Sequence, residues 1–402
     1  MSVTLAQALK TIWSHVGLTT TRKLPLWKTC GLVCAADARA LQSSPAFRRS
    51  LYDGYAIGAK SYDQKDLRLR YSLAGTIAAG ETRSRRLNRG ESWRVMTGAP
   101  VPQGAWKVIP QEDCISDGAM VSIALSIVRD RPSRIQPKGA DIRRNTRLIA
   151  KGWRVTPQHM LALSEAGIEE LEVFSKPKVA IFCTGSELVS GPGRQTSGKT
   201  ISSNRYLLSG LLQQSNCEVV DLGIVGDSLA ELEEQLARVE ESGAEAVIST
   251  GGLGPGKYDL VLEAFRRHKA EVLFSSLQLR PGKTTLAGML GSILYFGLPG
   301  PPAAVQPLYH ALILPALRAM QAMAQPRPLI HRACLAERLT LSRTGPLQLH
   351  AARLWLEKGV YQARSARKGE AANGYLFCSP GRKTFRQGEL LPAQPLIGSS
   401  DI

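Results

Sequence analysis

The sequence predicts a multidomain protein of the α/β plus β class, built around a doubly wound α/β domain. Three short apolar runs carry this prediction, at residues 178–183, 245–249 and 292–296. None of them alternates polar with apolar residues, which is typical of parallel strands covered on both faces. A small loop containing glycine follows each run. Because ligands of open α/β sheets bind outside the carboxyl ends of the strands, the three loops predict an anion-binding crevice.

The length and charge of the chain limit its class. At 402 residues it exceeds one ordinary domain, and we expect about two to four domains. Lys and Arg number 51 against 33 Asp and Glu, and the resulting net charge of +18 favours acidic partners. The basic residues are scattered, without a block of five or six like charges. This scatter argues against nucleic acid, but the charge does not choose among other acidic partners.

The cysteines and the N-terminus predict the compartment. The seven cysteines include no CxxC pair, so we expect free thiols in a reducing compartment rather than disulfides or a zinc site. The first residues lack the basic-then-apolar layout of a secretion signal. No apolar run reaches the roughly 18 residues that a spanning helix needs. We therefore expect a soluble cytoplasmic protein that does not enter a membrane.

Local patterns predict the elements that precede the α/β domain. Thr4 and Gln7 fit a capping box before a helix with one apolar face. Residues 45–139 change to short β-prone pieces between Gly, Pro and Asp, which predicts a small β domain. Thr156 then caps a second helix that has Pro157 at its first position.

The α/β domain is predicted to occupy residues 177–327. Its crossovers are a helix at 203–214, a strand at 218–225, a helix that starts after Ser228, and a helix from about 303 to 321. Two prolines, at 326 and 328, mark a linker. Residues 328–402 contain short strand patterns with turns and predict a small C-terminal β domain.

Three carboxylates follow predicted strand ends in the α/β domain. Glu187 and Asp227 each follow a strand, and Asp259 follows the glycine loop 251–256. A lone Asp before a helix could simply favour the helix dipole. Three acids at one sheet edge instead fit Mg²⁺ and phosphate, because Mg²⁺ takes one or two carboxylates plus substrate oxygens. The glycines would let backbone N–H groups approach the phosphates.

Other charged positions leave two interpretations open. Arg280 and Lys283, spaced by Pro-Gly, could grip an oxyanion or form a surface turn. Asp53 beside Gly54 is only a turn signal when taken alone. Asp141 lies among several Arg and Lys residues, as in an ion-paired loop or an anion site with an embedded carboxylate.

Taken together, these motifs resemble those of one family, the molybdopterin molybdenumtransferases of molybdenum cofactor biosynthesis, which are related to the C-terminal half of gephyrin. The motifs occur in the family's order over nearly the whole chain. The matching segments are 53–56 (DGYA), 94–100 (RVMTGAP), 139–144 (GADIRR), 184–188 (TGSEL), 203–204 (SN), 221–227 (DLGIVGD), 249–252 (STGG), Asp259, 281–283 (PGK) and 297–300 (GLPG).

The resemblance implies four structural units and an elongated homodimer. Residues 1–44 and 140–176 would form a discontinuous N-terminal linker domain, interrupted by the inserted β domain 45–139. The α/β molybdopterin-binding domain 177–327 and a β-barrel-like domain 328–402 would follow. The site would combine the crevice of one subunit with the inserted domain of the other, and other proteins of the same biosynthesis would be partners.

The resemblance also implies a reaction. Adenylylated molybdopterin and molybdate would react with Mg²⁺, releasing AMP and leaving molybdenum on the dithiolene. Glu187, Asp227 and Asp259 would hold the metal and, with Asp53 and Asp141 contributed by the partner subunit, form the catalytic set. The substrate-binding set would be Thr97, Gly98, Thr184, Gly185, Ser186, Asn204, Gly251, Gly252, Arg280, Gly282, Lys283, Pro299 and Gly300, with Arg280 and Lys283 on molybdate.

Two loops depart from the family's usual pattern. Lys257 replaces an acid of the glycine loop, and Pro301 and Ala304 replace a polar Asn and Ser after the last strand. These changes leave two alternatives to the enzyme: a diverged paralogue that binds molybdopterin without transferring metal, and a gephyrin-like interaction scaffold. The retained acids of the crevice favour the enzyme.

Overall fold

The computed structural model describes residues 2–59, 67–191, 196–253 and 260–396. They form an α/β plus β architecture, as the sequence predicts. Thr4 caps the helix Leu5–His15 together with Gln7, which confirms the capping box. The apolar face of this helix is buried in the main core of the α/β domain. The strand Ser2–Val3 adds to this attachment by pairing in parallel with Ser276–Leu277.

Residues from both sides of the inserted domain share one small sheet. Its strand order is Thr21–Pro25, Glu170–Phe174, Val33–Cys34. Thr156 caps the helix Pro157–Glu165, as predicted, by accepting a hydrogen bond from the backbone N–H of His159. The remaining short elements of this region are the 3₁₀ turn Leu26–Lys28 and the paired strands Ala38–Arg39 and Arg147–Ile149.

The inserted domain is a six-stranded sheet. Its strands lie in the order Cys114–Ser116, Met120–Ala124, Arg68–Ile77, Glu91–Val95, Gly54–Gly58 and Ala105–Pro110. A 3₁₀ turn, Gln111–Asp113, joins Ala105–Pro110 to Cys114–Ser116, and a short helix, Leu125–Asp130, follows Met120–Ala124. Arg49–Ser50 and Ile135–Gln136 pair where the chain enters and leaves the domain.

The α/β domain contains a second six-stranded sheet. Its order is Glu218–Val225, Lys178–Thr184, Ala246–Thr250, Ile293–Leu298, Leu286–Leu290 and Glu271–Phe274. The first four strands are parallel to one another, and Leu286–Leu290 is antiparallel to both of its neighbours, Ile293–Leu298 and Glu271–Phe274. Val179 and Ile181 face one hydrophobic core and Ala180 and Phe182 face another, so both faces of the sheet are covered. This double burial explains why the strand sequence shows no polar alternation.

Three regular helices pack on this sheet. In chain order they are Ser203–Gln214, Leu229–Glu241 and Leu260–Arg267. The helix predicted at about 303–321 is present, and its middle is a π-helical turn. It consists of Pro302–Leu308, a π-helical turn at Tyr309–Ile313, and Leu314–Met320. Pro315 has no backbone N–H to donate to the preceding turn, and a π-helical turn accommodates such a break in the ladder.

The C-terminal domain is a closed five-stranded barrel, which confirms the barrel-like prediction. Going round the barrel, the strands are Leu347–Glu357, Val360–Ser365, His331–Leu335, Leu390–Pro395 and Gly374–Cys378, which pairs back to the first. Leu339–Thr340 and Thr384–Phe385 form a separate pair. The short strand Leu279–Arg280 of the α/β domain joins the barrel by pairing with Leu347–Glu357.

Two further observations complete the fold. All seven cysteines are free thiols. Within the described ranges, none of the helices combines the length and the apolar character needed to cross a bilayer. The domain limits given above remain predictions.

Candidate functional site

A cavity of about 790 Å³ lies outside the carboxyl ends of the central parallel strands. We call it the crevice. The strands Lys178–Thr184 and Ala246–Thr250 end in its wall, and the loop after Ile293–Leu298 closes one side. Its lining residues are Thr184, Gly185, Ser186, Glu187, Leu188, Thr200, Ile201, Ser202, Ser203, Asn204, Asp227, Thr250, Gly251, Gly252, Leu260, Gly300, Pro301 and Pro302. The position is the one that the three polar loops predict.

The two glycines after Ala246–Thr250 are required by close packing. Gly251 has φ +93°, and a Cβ there would collide with the carbonyl oxygen of Thr184. Gly252 has φ +67°, and its Cβ would lie 2.9 Å from Thr184 Oγ1 and from a methyl group of Val261. Both positions combine a left-handed backbone with contact against a neighbouring strand end, which only glycine tolerates. The loop therefore presents its backbone, without side chains, to the crevice.

Asn204 connects three walls of the crevice. Its Nδ2 donates to Thr250 Oγ1 at 3.2 Å and to the carbonyl oxygen of Gly300 at 2.7 Å. Its Oδ1 is buried and has no hydrogen-bond partner among the described residues. A buried acceptor without a donor is unfavourable, and a ligand N–H or O–H group would satisfy it. Asn204 thus both fixes the crevice and offers an unused acceptor to a ligand.

The helix Ser203–Gln214 begins in the crevice wall. No side chain caps its first turn, although Ser202, Ser203 and Asn204 all line the cavity. The free N–H groups of a helix N-terminus and the helix dipole favour an anion. This end of the crevice is therefore suited to a phosphate group.

Two carboxylates also lie at the rim of the crevice. Asp227 accepts a hydrogen bond from the backbone N–H of Ser186 at 2.8 Å. The carboxylate of Glu187 folds back beside the Cα of Gly185, so a Cβ on Gly185 would lie 2.7 Å from Glu187 Oε2. Lys199 Nζ donates to the carbonyl oxygen of Ser186 at 2.7 Å and brings a cation to the same rim. The loop 184–187 therefore collects both acids in one place.

Asp259 and Lys257 lie outside the described residues. Among the residues that the structure describes, no cluster of three His, Cys, Asp or Glu side chains is placed to hold a metal ion. Glu187 and Asp227 supply two carboxylates to one cavity. Because Mg²⁺ commonly takes one or two protein carboxylates and completes its shell with water and substrate oxygens, this pair fits a Mg²⁺ site.

Cys183 lies beneath the crevice as a buried thiol. Burial raises the pKa of this thiol, and Thr250 donates a hydrogen bond to its Sγ at 3.1 Å. A thiol with a raised pKa stays protonated near neutral pH and is a poor nucleophile. Cys183 therefore lies behind Thr250, outside the lining of the crevice.

The inserted domain carries a separate polar group. Asp53 accepts hydrogen bonds from the backbone N–H and the hydroxyl of Thr97, both at 2.7 Å, and these bonds lower the pKa of its carboxyl. Asp141 accepts from Gln136 Nε2 at 2.9 Å and pairs with Arg49 at 3.8 Å.

These groups lie near the place where the chain enters and leaves the inserted domain. Gly98 donates its N–H to Ser50, in the short strand that also contains Arg49. The structure thus brings Asp53, Thr97 and Gly98 near the loop of Asp141, and none of the four lines the crevice of the same chain.

The predicted molybdate loop also lies apart from the crevice. Neither Arg280, Gly282 nor Lys283 lines it. Arg280 pairs with the C-terminal barrel, and a Cβ on Gly282 would collide with the side chain of Leu308. Pro299 is not among the lining residues either, although Gly300 is.

Sequence analysis missed several lining residues. Thr250, Ser202 and Thr200 contribute side chains or backbone to the cavity, and Lys199 touches its rim. Thr250 could have been found because it directly precedes the two glycines. Lys199 and Thr200 carry no such signal, since the parallel pairing of Leu188–Val189 with Thr200–Ile201 brings them to the crevice.

Comparison with solved structures defines the class. Two crystal structures of molybdopterin biosynthesis MoeA proteins from Pyrococcus horikoshii have TM-scores of 0.83 and 0.80 to this chain. Each is 24% identical, and the matches cover 98% of this chain and 99% and 100% of those chains. The chain therefore has the MoeA fold, with its crevice in the α/β domain.

Sequence comparisons narrow the class to a family. The region described as "MoeA N-terminal region (domain I and II)" matches residues 3–167, and the "Probable molybdopterin binding domain" matches residues 180–319. The molybdopterin molybdenumtransferase of Haemophilus influenzae is 30% identical, over 85% of this chain and 82% of that protein. Molybdopterin molybdenumtransferase 2 of Mycobacterium tuberculosis is 31% identical, over 80% of each. The chain belongs to the molybdopterin molybdenumtransferase family, a family of enzymes of molybdenum cofactor biosynthesis.

Proposed function

We propose that this enzyme transfers molybdenum from molybdate to adenylylated molybdopterin and releases AMP in a Mg²⁺-dependent reaction. One observation carries the proposal. Glu187 and Asp227 line the same cavity as the glycine pair Gly251–Gly252 and the uncapped start of the helix Ser203–Gln214. A site for cleaving a pyrophosphate link needs this combination of phosphate-binding N–H groups and carboxylates.

The chain's own groups position the substrate. The first-turn N–H groups of the helix Ser203–Gln214 would bind one phosphate, and the bare backbone at Gly251 lets a second approach closely. Asn204 Oδ1 would accept a hydrogen bond from a donor on the ligand. The resulting catalysis is positioning together with charge stabilisation, without a covalent intermediate on the protein.

Glu187 and Asp227 are the described residues that would hold Mg²⁺, with Asp259 as the third carboxylate. When bound there, the ion would neutralise charge on the phosphate oxygens. Asp227 is oriented by the N–H of Ser186, and Lys199 lies beside the same loop. The hydrogen bond from Ser186 holds the carboxylate of Asp227 at the rim.

A homodimer would complete the site. Asp53 lies in the inserted domain and Asp141 lies just beyond its end, but neither lines the crevice of its own chain. The low pKa of Asp53 keeps this carboxyl ionised near neutral pH. We infer that the Asp53 region of one subunit faces the crevice of the other.

The experiment is an AMP-release assay with purified protein, adenylylated molybdopterin, Mg²⁺ and molybdate. AMP should accumulate well above the rate without protein. Asp259→Ala should abolish this release with little loss of stability, because a loop carboxylate rarely supports a core. Glu218→Ala is the matched control. Glu218 is an exposed acid at the first position of the strand Glu218–Val225, at the end that lies away from the crevice.

Two results would favour the alternatives. Background AMP release with ligand still bound would indicate a paralogue that binds molybdopterin without transferring metal. The scaffold alternative predicts a chain that neither binds ligand nor releases AMP. If Asp227→Ala and Asp259→Ala still retain a protein partner of such a chain, the result would indicate a scaffold. Normal turnover by Asp259→Ala would remove that residue from the mechanism.

A further inference from the structure

A second large cavity lies where three domains meet, away from the crevice. Its volume is about 720 Å³, within the range of small-molecule sites. The linker domain contributes Trp153 and Arg154, the end of the last α/β helix contributes Arg318, and the barrel contributes His331 and Tyr361. We call it the basic cavity. Nothing in the proposed transfer reaction uses it.

The charges of the basic cavity are unbalanced. Arg154, Arg318 and Arg327 line it, and no Asp or Glu is found among its described lining residues. Arg327 stacks over the ring of Trp13 at 4.6 Å. Within the described ranges, no ion pair or hydrogen bond is formed by the guanidinium of Arg154 or of Arg318, and Arg318 Nε is fully buried.

Two neighbouring guanidinium groups without a counter-charge are unfavourable. Burial, with the nearby charge of Arg154, lowers the pKa of Arg318. A guanidinium nevertheless remains protonated in proteins, so the repulsion is not relieved by losing a proton. A bound anion would relieve it and would satisfy the free N–H donors at the same time.

The walls of the basic cavity are held rigidly. Gly152 has φ +81°, and a Cβ there would lie 2.6 Å from the carbonyl oxygen of Ala322. Gly152 also accepts a hydrogen bond from the N–H of Ala324 at 3.0 Å. The N–H of Met323 bonds back to the carbonyl oxygen of Arg318 at 3.1 Å. These contacts tie the loop of Arg154 to the end of the helix that carries Arg318.

Planar side chains form the remaining wall. The rings of His331 and Tyr361 pack with centroids 4.8 Å apart, and Trp153 is 56% exposed at the edge. Rings beside a cationic cluster suit a planar ligand that carries a charged group. The basic cavity thus has a cationic end, which suits an anion, and an aromatic end.

We propose that the basic cavity binds a small oxyanion, either as the free dianion or as the phosphate end of a phosphorylated small molecule, through Arg154 and Arg318. The bidentate fork of each guanidinium matches phosphate oxygens. This site is separate from the transferase crevice and does not depend on the proposed transfer reaction.

Calorimetric titration of the full chain with inorganic phosphate tests the proposal, at constant ionic strength maintained with chloride. Arg154→Gln and Arg318→Gln should each remove one phosphate site per chain and should leave any site in the crevice. Arg154→Lys should weaken binding roughly tenfold, because an ammonium keeps the charge but loses the fork. Arg332→Gln is the matched control, since Arg332 is an exposed neighbour that does not line the cavity.

Thermal unfolding provides the second measurement. Without phosphate, Arg154→Gln should unfold at a temperature equal to or above that of the unchanged protein, because the repulsion is gone. Phosphate should stabilise the unchanged protein and Arg332→Gln, but Arg154→Gln much less. A merely structural arginine would instead lower the unfolding temperature on replacement and leave phosphate binding unchanged, and that result would overturn the proposal.

A third titration distinguishes the source of the anion. Phenyl phosphate should bind more tightly than inorganic phosphate if the rings of Trp153 and Tyr361 take part, and this gain should disappear in Arg154→Gln. Equal affinity for the two probes assigns the site to a free oxyanion. If neither probe binds in a manner sensitive to Arg154 or Arg318, the cavity is not an oxyanion site.

Discussion

Asn204 shows how much of the site depends on one side chain. Its amide joins the helix Ser203–Gln214 to Thr250 and Gly300, which belong to two different strand ends. The family motif drew attention to Asn204, but the motif alone did not indicate which atoms are used. The three-dimensional arrangement leaves the Nδ2 donor satisfied and the Oδ1 acceptor open.

Replacing Asn204 with Ala should therefore weaken the binding of adenylylated molybdopterin. Losing one hydrogen bond to the ligand should reduce the binding free energy by about 1.4 kcal/mol. The KM for adenylylated molybdopterin in the AMP-release assay should then rise roughly tenfold. Gln213→Ala is the matched control, because Gln213 is an exposed amide on the same helix. Equal KM values for the two variants would show that Asn204 does not contact the substrate.

His310 is a buried imidazole that the sequence did not single out. It is 1% exposed, and neither ring nitrogen has a hydrogen-bond partner in the described structure. Burial, together with the charge of Arg318, lowers the pKa of His310 to about 4. Tyr309 packs edge-on against its ring, and Gln394 donates to its carbonyl oxygen.

This pKa predicts a loss of stability in mild acid. The unfolded chain takes up a proton at His310 below about pH 6.5, whereas the folded chain does so only near pH 4. The free energy of unfolding should therefore fall as the pH drops through this window, by up to about 3 kcal/mol from this residue. Urea unfolding of His310→Phe between pH 7 and 4 should show a flatter pH dependence.

His15 provides the control for that measurement. Its side chain is 33% exposed at the end of the first helix. His15→Gln should keep the steep pH dependence of the unchanged protein. A slope that is the same in His310→Phe as in His15→Gln would mean that His310 is not the titrating group.

At the scale of elements, the sequence predicted the glycine loop after Ala246–Thr250. It did not show why glycine is required at positions 251 and 252. The sequence indicates that small residues after a strand can approach a phosphate. The structure adds that Gly251 and Gly252 are pressed against Thr184, the end of the adjacent strand. The loop is therefore constrained by sheet packing as well as by ligand access.

Gly251→Ala should disturb both stability and activity. A left-handed backbone disfavours alanine, and a Cβ would collide with the carbonyl oxygen of Thr184, so the variant should lose about 2 kcal/mol or more. AMP release should fall more than tenfold because the loop must move. Gly291→Ala is the matched control, since Gly291 has φ +57° with open space around it. That variant should lose only about 1 kcal/mol and keep its activity.

The π-helical turn Tyr309–Ile313 is an element that periodicity could not predict. All the residues of this segment, His310 included, are buried, so the segment has no exposed side. A fully buried helix has no polar face from which the turn size could be inferred. The helix at about 303–321 was therefore predicted with nearly the observed bounds, but its π-helical turn was not.

At the scale of the whole molecule, the proposed dimer makes a quantitative prediction. Asp53→Asn should remove the carboxylate that the inserted domain contributes to the partner's site. Asp227→Asn should remove a carboxylate from the crevice of its own subunit. If each site combines both regions from different subunits, a mixture refolded or co-expressed in equal amounts should recover about a quarter of full AMP release. Half of the dimers are then mixed, and each has one intact site.

The two single variants assayed alone are the controls, together with a mixture kept under conditions in which subunits do not exchange. Both variants alone and the unexchanged mixture should be inactive. Recovery that stays at zero after demonstrated subunit exchange would contradict a site shared between subunits.

The sequence by itself determined the local elements and the position of the crevice. Helix caps such as those at Thr4 and Thr156 depend on residues three positions apart, and strand ends with glycine loops identify a sheet edge. Such signals are local, so they can be recognised without knowing the fold. The tertiary structure alone decided that Arg280 joins the barrel, that Lys199 reaches the crevice rim, and that Arg154 meets Arg318. These contacts join residues far apart in the chain, and their geometry is set by how the domains pack.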